Sequence, residues 1–94
     1  MAAIKTTSKK IKTIYAENKF NAYSNHTGVM TTPYDFKLIF GSIEVATDSE
    51  LTILEHGSVT ISPQHAKAFC KNMFESIEKY ESSYGEIKVP GNPT

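Results

Sequence analysis

Cysteine is almost missing from this chain: Cys70 is the only one in 94 residues. No internal disulfide can form, which fits a reducing interior, and the chain is expected to be cytoplasmic. A charge excess of either sign is missing too. Ten basic and ten acidic residues cancel, so no strong field draws nucleic acid or an anionic membrane to the whole surface. No apolar run approaches the ~20 residues of a spanning helix, so no membrane partner is expected. The opening MAAIKTTSKK has lysines but no apolar stretch behind them, and it is not expected to be a secretory signal.

Catalytic and metal signatures are equally scarce. His26, His56 and His65 are far apart and follow no zinc spacing. There is no glycine-rich phosphate loop, nucleophile elbow or nucleotide fingerprint. Cys70 falls on the apolar stripe of a helix, where a buried thiol is poorly ionised and inert. Paired carboxylates such as Glu78 and Glu81 read as solvated helix surface. No catalytic residue, cofactor or metal is expected. His65, in the first turn of that helix, reads as a structural residue before an anion-binding one.

What is present is a change of period. Residues 1–10 read as a flexible tail, with Lys5, Lys9 and Lys10 close together. From Ile11 to Ala16, β-branched and aromatic residues alternate in a strand-like way. A second strand is expected over Tyr23–Thr31, with Gly28 marking a bulge or close approach. Next, Pro33 fixes φ and pushes Thr32 into the extended region. Asp35 is expected to hold this turn by accepting backbone N–H groups, not to act as a catalytic acid. Phe36, Leu38 and Phe40 then share one face of a strand that Gly41 bends. Leu51–Ile61 is a further strand, interrupted near Glu55-His56-Gly57. Short turns between these runs predict an antiparallel meander rather than βαβ crossovers.

Helical spacing begins at Ser62-Pro63, serine as N-cap and proline as first helical residue. Ala66, Cys70, Met73, Ile77, Tyr80 and Tyr84 recur at 4-3-4-3-4 spacing, widened by Phe69 and Phe74. Gly85 is placed to end the helix in the left-handed conformation. The helix therefore runs from about Pro63 to Tyr84, roughly 33 Å. One flank, Phe69 and Phe74, is expected on the sheet. The seam of Cys70, Met73, Ile77, Tyr80 and Tyr84 is expected to meet a partner. "EIKVP" adds a short extended segment, and 88–94 is a loose tail.

The expected fold is α+β: an antiparallel meander of three to four strands followed by one long C-terminal helix, forming a single domain over 11–87. Such a small chain buries only about 60–65% of its unfolded surface, so partner chains would add core. A homo-oligomer, dimer or higher, is expected. The function that follows is a non-enzymatic interaction module binding a protein or peptide. The alternative is a nucleic-acid or nucleotide-binding module. It would use the lysine-bearing sheet face, with Tyr15, Phe20, Tyr23, Tyr34, Phe36 and Phe40 among Lys12, Lys19 and Lys37, and the N-terminal arm with Lys5, Lys9, Lys10 and Lys12. Neutral net charge and the lack of an RNP-like motif favour packing for these aromatics.

Two segments carry a resemblance. They are "YSN" at 23–25 with "TPYDFKLIFG" at 32–41, and "VTISPQHAKAF" at 59–69 running on through "SIEKYESSYGEI" at 76–87. This pattern resembles a family of short bacterial, archaeal and phage proteins known as a domain of unknown function. Its motifs read Y-A-N, P-x-D-F-x-L-x-F-G and S-P-x-H-A-K. Ser24 here stands for alanine, Ile39 for a common aspartate and Tyr84 for phenylalanine. Residues 1–22 and 42–57 lie outside the quoted motifs, and the resemblance brings no catalytic residue with it. In architecture alone, strands followed by a long helix are similar to SecB-type export chaperones, which implies a chaperone-like or phage accessory role only by analogy of fold.

Overall fold

The structure, a computed structural model, describes residues 9–90. The expected N-terminal tail lies mostly outside the described residues, as do residues 91–94. Three strands form one antiparallel sheet in chain order: β1 His26–Thr31, β2 Phe36–Ala46 and β3 Leu51–Ile61. Helix α1, Pro63–Tyr84, follows after a single residue. The α+β meander-plus-helix reading is correct, with three strands.

The turns are closed by threonine rather than by the acidic residues. Thr32 N–H donates to the Asp35 carbonyl at 2.9 Å. The Thr32 hydroxyl oxygen accepts from Tyr34 N–H at 3.0 Å and Asp35 N–H at 3.1 Å. Thr47 repeats the arrangement. Its N–H donates to the Glu50 carbonyl at 2.8 Å, and its hydroxyl accepts the Glu50 N–H at 3.0 Å. A β-branched residue suits the strand end, and its hydroxyl supplies the acceptor the turn needs.

The β2–β3 ladder carries two register shifts. Phe40 faces Gly57 while Gly41 faces Glu55, so His56 is the extra residue. Glu44 is the extra residue between the Ile43–Ile53 and Val45–Thr52 pairs. The interruption expected at 55–57 is therefore a bulge inside one continuous strand. Gly41 sits where the chains crowd: a Cβ there would lie 2.7 Å from the Leu54 carbonyl oxygen. Gly28 has no such role. It pairs in unbroken register with Ile39, and its absent Cβ would meet only ordinary contacts.

Helix α1 begins and ends where its local signals place it. The Ser62 hydroxyl accepts the His65 N–H at 3.1 Å, and Pro63 opens the first turn. Gly85 takes φ 99°, but ψ is 171°, so the chain leaves extended instead of curling back left-handed. Glu81 closes this end twice. Its carbonyl accepts the Gly85 N–H at 2.9 Å, and its carboxylate accepts the Ile87 N–H at 3.0 Å. Ser62→Ala should lower stability by about 0.5–2 kcal/mol, read as a shifted urea midpoint. An unshifted midpoint would show that the cap contributes nothing.

Two further expectations fail. Residues 11–16 form no strand. The segment instead makes one turn, with Lys19 N–H on the Ala16 carbonyl at 3.0 Å and the Lys19 ammonium 4.0 Å from the Tyr15 ring centroid. Alternation alone does not make a strand without a ladder to join. Phe74 does not cover the sheet; it is 61% exposed.

The deeper finding is how little core this chain makes. Among the described residues only Ala66 counts as a buried apolar residue, at 7% exposure. Helix α1 makes only marginal contact with any strand. The radius of gyration is 18.4 Å, against about 12 Å for a compact chain of this length.

Candidate functional site

Cross-strand partners share a face, and the register sets Val29, Leu38 and Val59 in one row and Phe36 beside Ile61 in the next. Helix α1 leans over this region by its first half. Between them lies an open groove of about 640 Å³. Phe36, Leu38 and Ile61 line it from the sheet, and Ala66, Cys70 and Met73 line it from the helix. Lys67 is the only charged residue on its wall. Such a surface favours apolar side chains and offers almost nothing to orient a polar substrate.

The residues of the expected seam divide along the helix. Cys70 and Met73 face the groove. Ile77, Tyr80 and Tyr84 continue the stripe beyond it, all exposed, with the Tyr80 and Tyr84 rings 4.9 Å apart. Cys70 is exposed rather than buried, because no strand packs over it. Of the aromatics, Phe36 and Phe40 line the groove, whereas Tyr15, Phe20, Tyr23 and Tyr34 are exposed and lie off the strands. Phe20, though 58% exposed, brings its ring tip over Gly57 of β3, so the expected packing role holds for Phe36 and Phe40 and in part for Phe20.

Pro33, Asp35, Ser62 and Gly85 occupy turns and caps, as expected, but Asp35 works differently. Its carboxylate accepts a hydrogen bond from the Thr32 hydroxyl at 2.9 Å, not from backbone N–H groups. The backbone donors go to Thr32, because its oxygen sits inside the turn. Asp35→Ala should therefore cost well under ~1 kcal/mol and Thr32→Val more, about 0.5–1.5 kcal/mol, since it removes two hydrogen bonds of the turn and leaves their donors to water. Thermal melts of the two variants check the order; a larger loss for Asp35→Ala would reverse the assignment.

Three polar arrangements escaped the sequence reading. The Ser24 hydroxyl donates to the Gly41 carbonyl at 2.7 Å and accepts the Gly41 N–H at 3.1 Å. The Asn25 side-chain oxygen accepts the Ile43 N–H at 2.9 Å. Side chains thus extend the β1–β2 ladder beyond the point where β1 begins. The YSN motif was visible, but its partners lie 17 and 18 residues away.

The third arrangement is Ser42 Oγ, 3.1 Å from His56 Nε2 at the bulge. The spacing is that of a nucleophile and its base. However, neither residue lines the groove, and among the described residues no carboxylate hydrogen-bonds the ring. The pair is a cross-strand contact made by the bulge turning His56 toward β2. Among the described residues, no three His, Cys, Asp or Glu side chains gather as a metal site requires. No described helix is long and apolar enough to cross a membrane.

A three-stranded meander with one long helix and an apolar groove defines the class: a small α+β meander–helix domain. Within that class, the chain belongs to the family described as Protein of unknown function (DUF3467), whose family model matches residues 1–89. The match extends beyond the quoted motifs, taking in residues 1–22 and the 42–57 hairpin. No curated protein and no solved structure matches the chain.

Proposed function

We propose that this chain is a non-enzymatic interaction module that works as a homo-oligomer and binds a protein or peptide partner in the cytoplasm. One observation carries the reading. The chain exposes 9084 Å², where a compact monomer of its mass exposes about 5,400 Å². The excess is roughly 3,700 Å², and large apolar side chains on α1 and the sheet are among those exposed, Val29, Met30, Leu51, Met73, Phe74 and Tyr84 included. Large obligate interfaces bury on the order of 2,000–5,000 Å² in total, so the uncovered surface is ample for one.

The open edge of β3 supports the second part of the reading. It runs over 11 residues with no proline or lysine to blunt it, and its one interruption is the bulge at His56 beside Glu55, which leaves a stretch of strand on either side. Such an edge offers main-chain pairing to an extended peptide. The single cysteine supports a reducing compartment.

Light scattering on the wild-type protein at tens of micromolar tests the assembly, with salt as the second variable. A dimer or larger species that persists at high salt is expected, because apolar association does not release counterions. A folded, well-behaved monomer overturns the reading. Binding that collapses steeply with salt would point to phosphate recognition instead.

A further inference from the structure

The two halves of α1 differ in charge and in what lies against them. Lys67 and Lys71 give the first half two positive charges. Glu75, Glu78 and Glu81 against Lys79 give the second half two net negative charges. The helix has no acidic residue in its first turn and no basic residue in its last. Its charge order is thus the reverse of the one that favours an isolated helix. The apolar stripe is divided in the same place. Its first half, to Met73, lines the groove, while Ile77, Tyr80 and Tyr84 lie beyond it and are exposed.

One arrangement satisfies both asymmetries. We propose that the groove is filled by the C-terminal half of α1 from a second copy, the two helices running antiparallel about a two-fold axis beside Met73. Met73 lies at the middle of the 22-residue helix. An antiparallel pair centred there lays each basic half on an acidic half and opposes the two macrodipoles. The two-fold axis repeats the contact, so both grooves fill at once. The stripe supplies Ile77, Tyr80 and Tyr84 to the apolar wall. Lys67, at the wall, meets Glu81, the glutamate nearest the stripe in the second half. A parallel pair would set like charges side by side along the whole helix.

This inference rests on the self-association proposed above, and the test separates the two. The native protein carries one thiol, at Cys70. In the antiparallel pair the two Cys70 positions are about 9 Å apart along the axis alone, beyond the ~7 Å that a disulfide spans. Cys70→Ser with Met73→Cys moves the thiol to the axis. Under mild oxidation that variant should form covalent dimers, and the wild-type protein should not. Ready crosslinking through native Cys70 overturns the antiparallel arrangement.

Charge exchange gives a readout that does not depend on thiols. Lys67 is exposed and Glu81 half-buried in the single chain, and both lie along the same edge of the stripe. Lys67→Glu should weaken association at least tenfold in sedimentation equilibrium. Adding Glu81→Lys to the same chain should restore it. Unchanged association of the first variant, or no rescue by the second, overturns the inference while leaving self-association standing. A wild-type monomer overturns both. An oligomer that takes up extended peptide without losing subunits, and fails both helix tests, assigns the groove to the peptide.

Discussion

Ile77→Glu is expected to separate the subunits while leaving the secondary structure of the chain in place. Ile77 is 37% exposed in the single chain and lies past the end of the groove, so the chain's own packing loses little. Between chains the same carboxylate would be enclosed without a partner. An uncompensated buried charge costs about 3–5 kcal/mol, which weakens association by a factor on the order of 10² to 10³ or more. Sedimentation equilibrium measures the shift, and far-UV circular dichroism follows the helix. If the oligomer keeps its affinity, the seam faces solvent in the assembly. If the helix signal disappears with the oligomer, the stripe is needed by each chain for its own folding.

Gly41→Ala is expected to be the most damaging single-methyl change in the sheet. The new Cβ would lie 2.7 Å from the Leu54 carbonyl oxygen and 3.0 Å from the Ile53 side chain. The oxygen belongs to the facing strand and cannot turn aside as a side chain can. Overpacking of this kind costs about 1–3 kcal/mol. For a domain of this size each kcal/mol lowers Tm by about 4–8 °C. Gly28→Ala is the matched control, since its Cβ would sit 3.9 Å from Ile39 in ordinary contact. A thermal melt should show a clear loss for Gly41→Ala and little change for Gly28→Ala. Equal melts would mean that the bulge at His56 relaxes to admit the methyl group.

Local signals were legible in the sequence where the physics is local. Ser62 reaches a donor three residues away, Pro63 suits only the first turn, and Gly85 alone can take a positive φ without strain. The helix therefore starts and stops where its sequence indicates. The alternation of Phe36, Leu38 and Phe40 likewise identified β2, because a pleated strand repeats every two residues. The same alternation misled at Ile11–Ala16. A strand exists only as a ladder, and the need for a neighbour is not written in the segment itself. Asp35 was given the backbone donors of its turn because its residue type suits that role; Thr32 takes them because its oxygen lies inside the turn.

By itself the sequence determined that residues 63–84 form an amphipathic helix, that the strands follow one another as a meander, and that the charges balance. Period and capping depend only on neighbours along the chain. Tertiary structure alone decided that Ser24 and Asn25 clamp β2, that His56 is the bulged residue facing Ser42, and that Cys70 is exposed. Each depends on residues many positions distant. It also decided that the apolar stripe is left uncovered over its second half. Periodicity marks a face as apolar but does not name what lies against it, and within one chain the sheet reaches only as far as Met73.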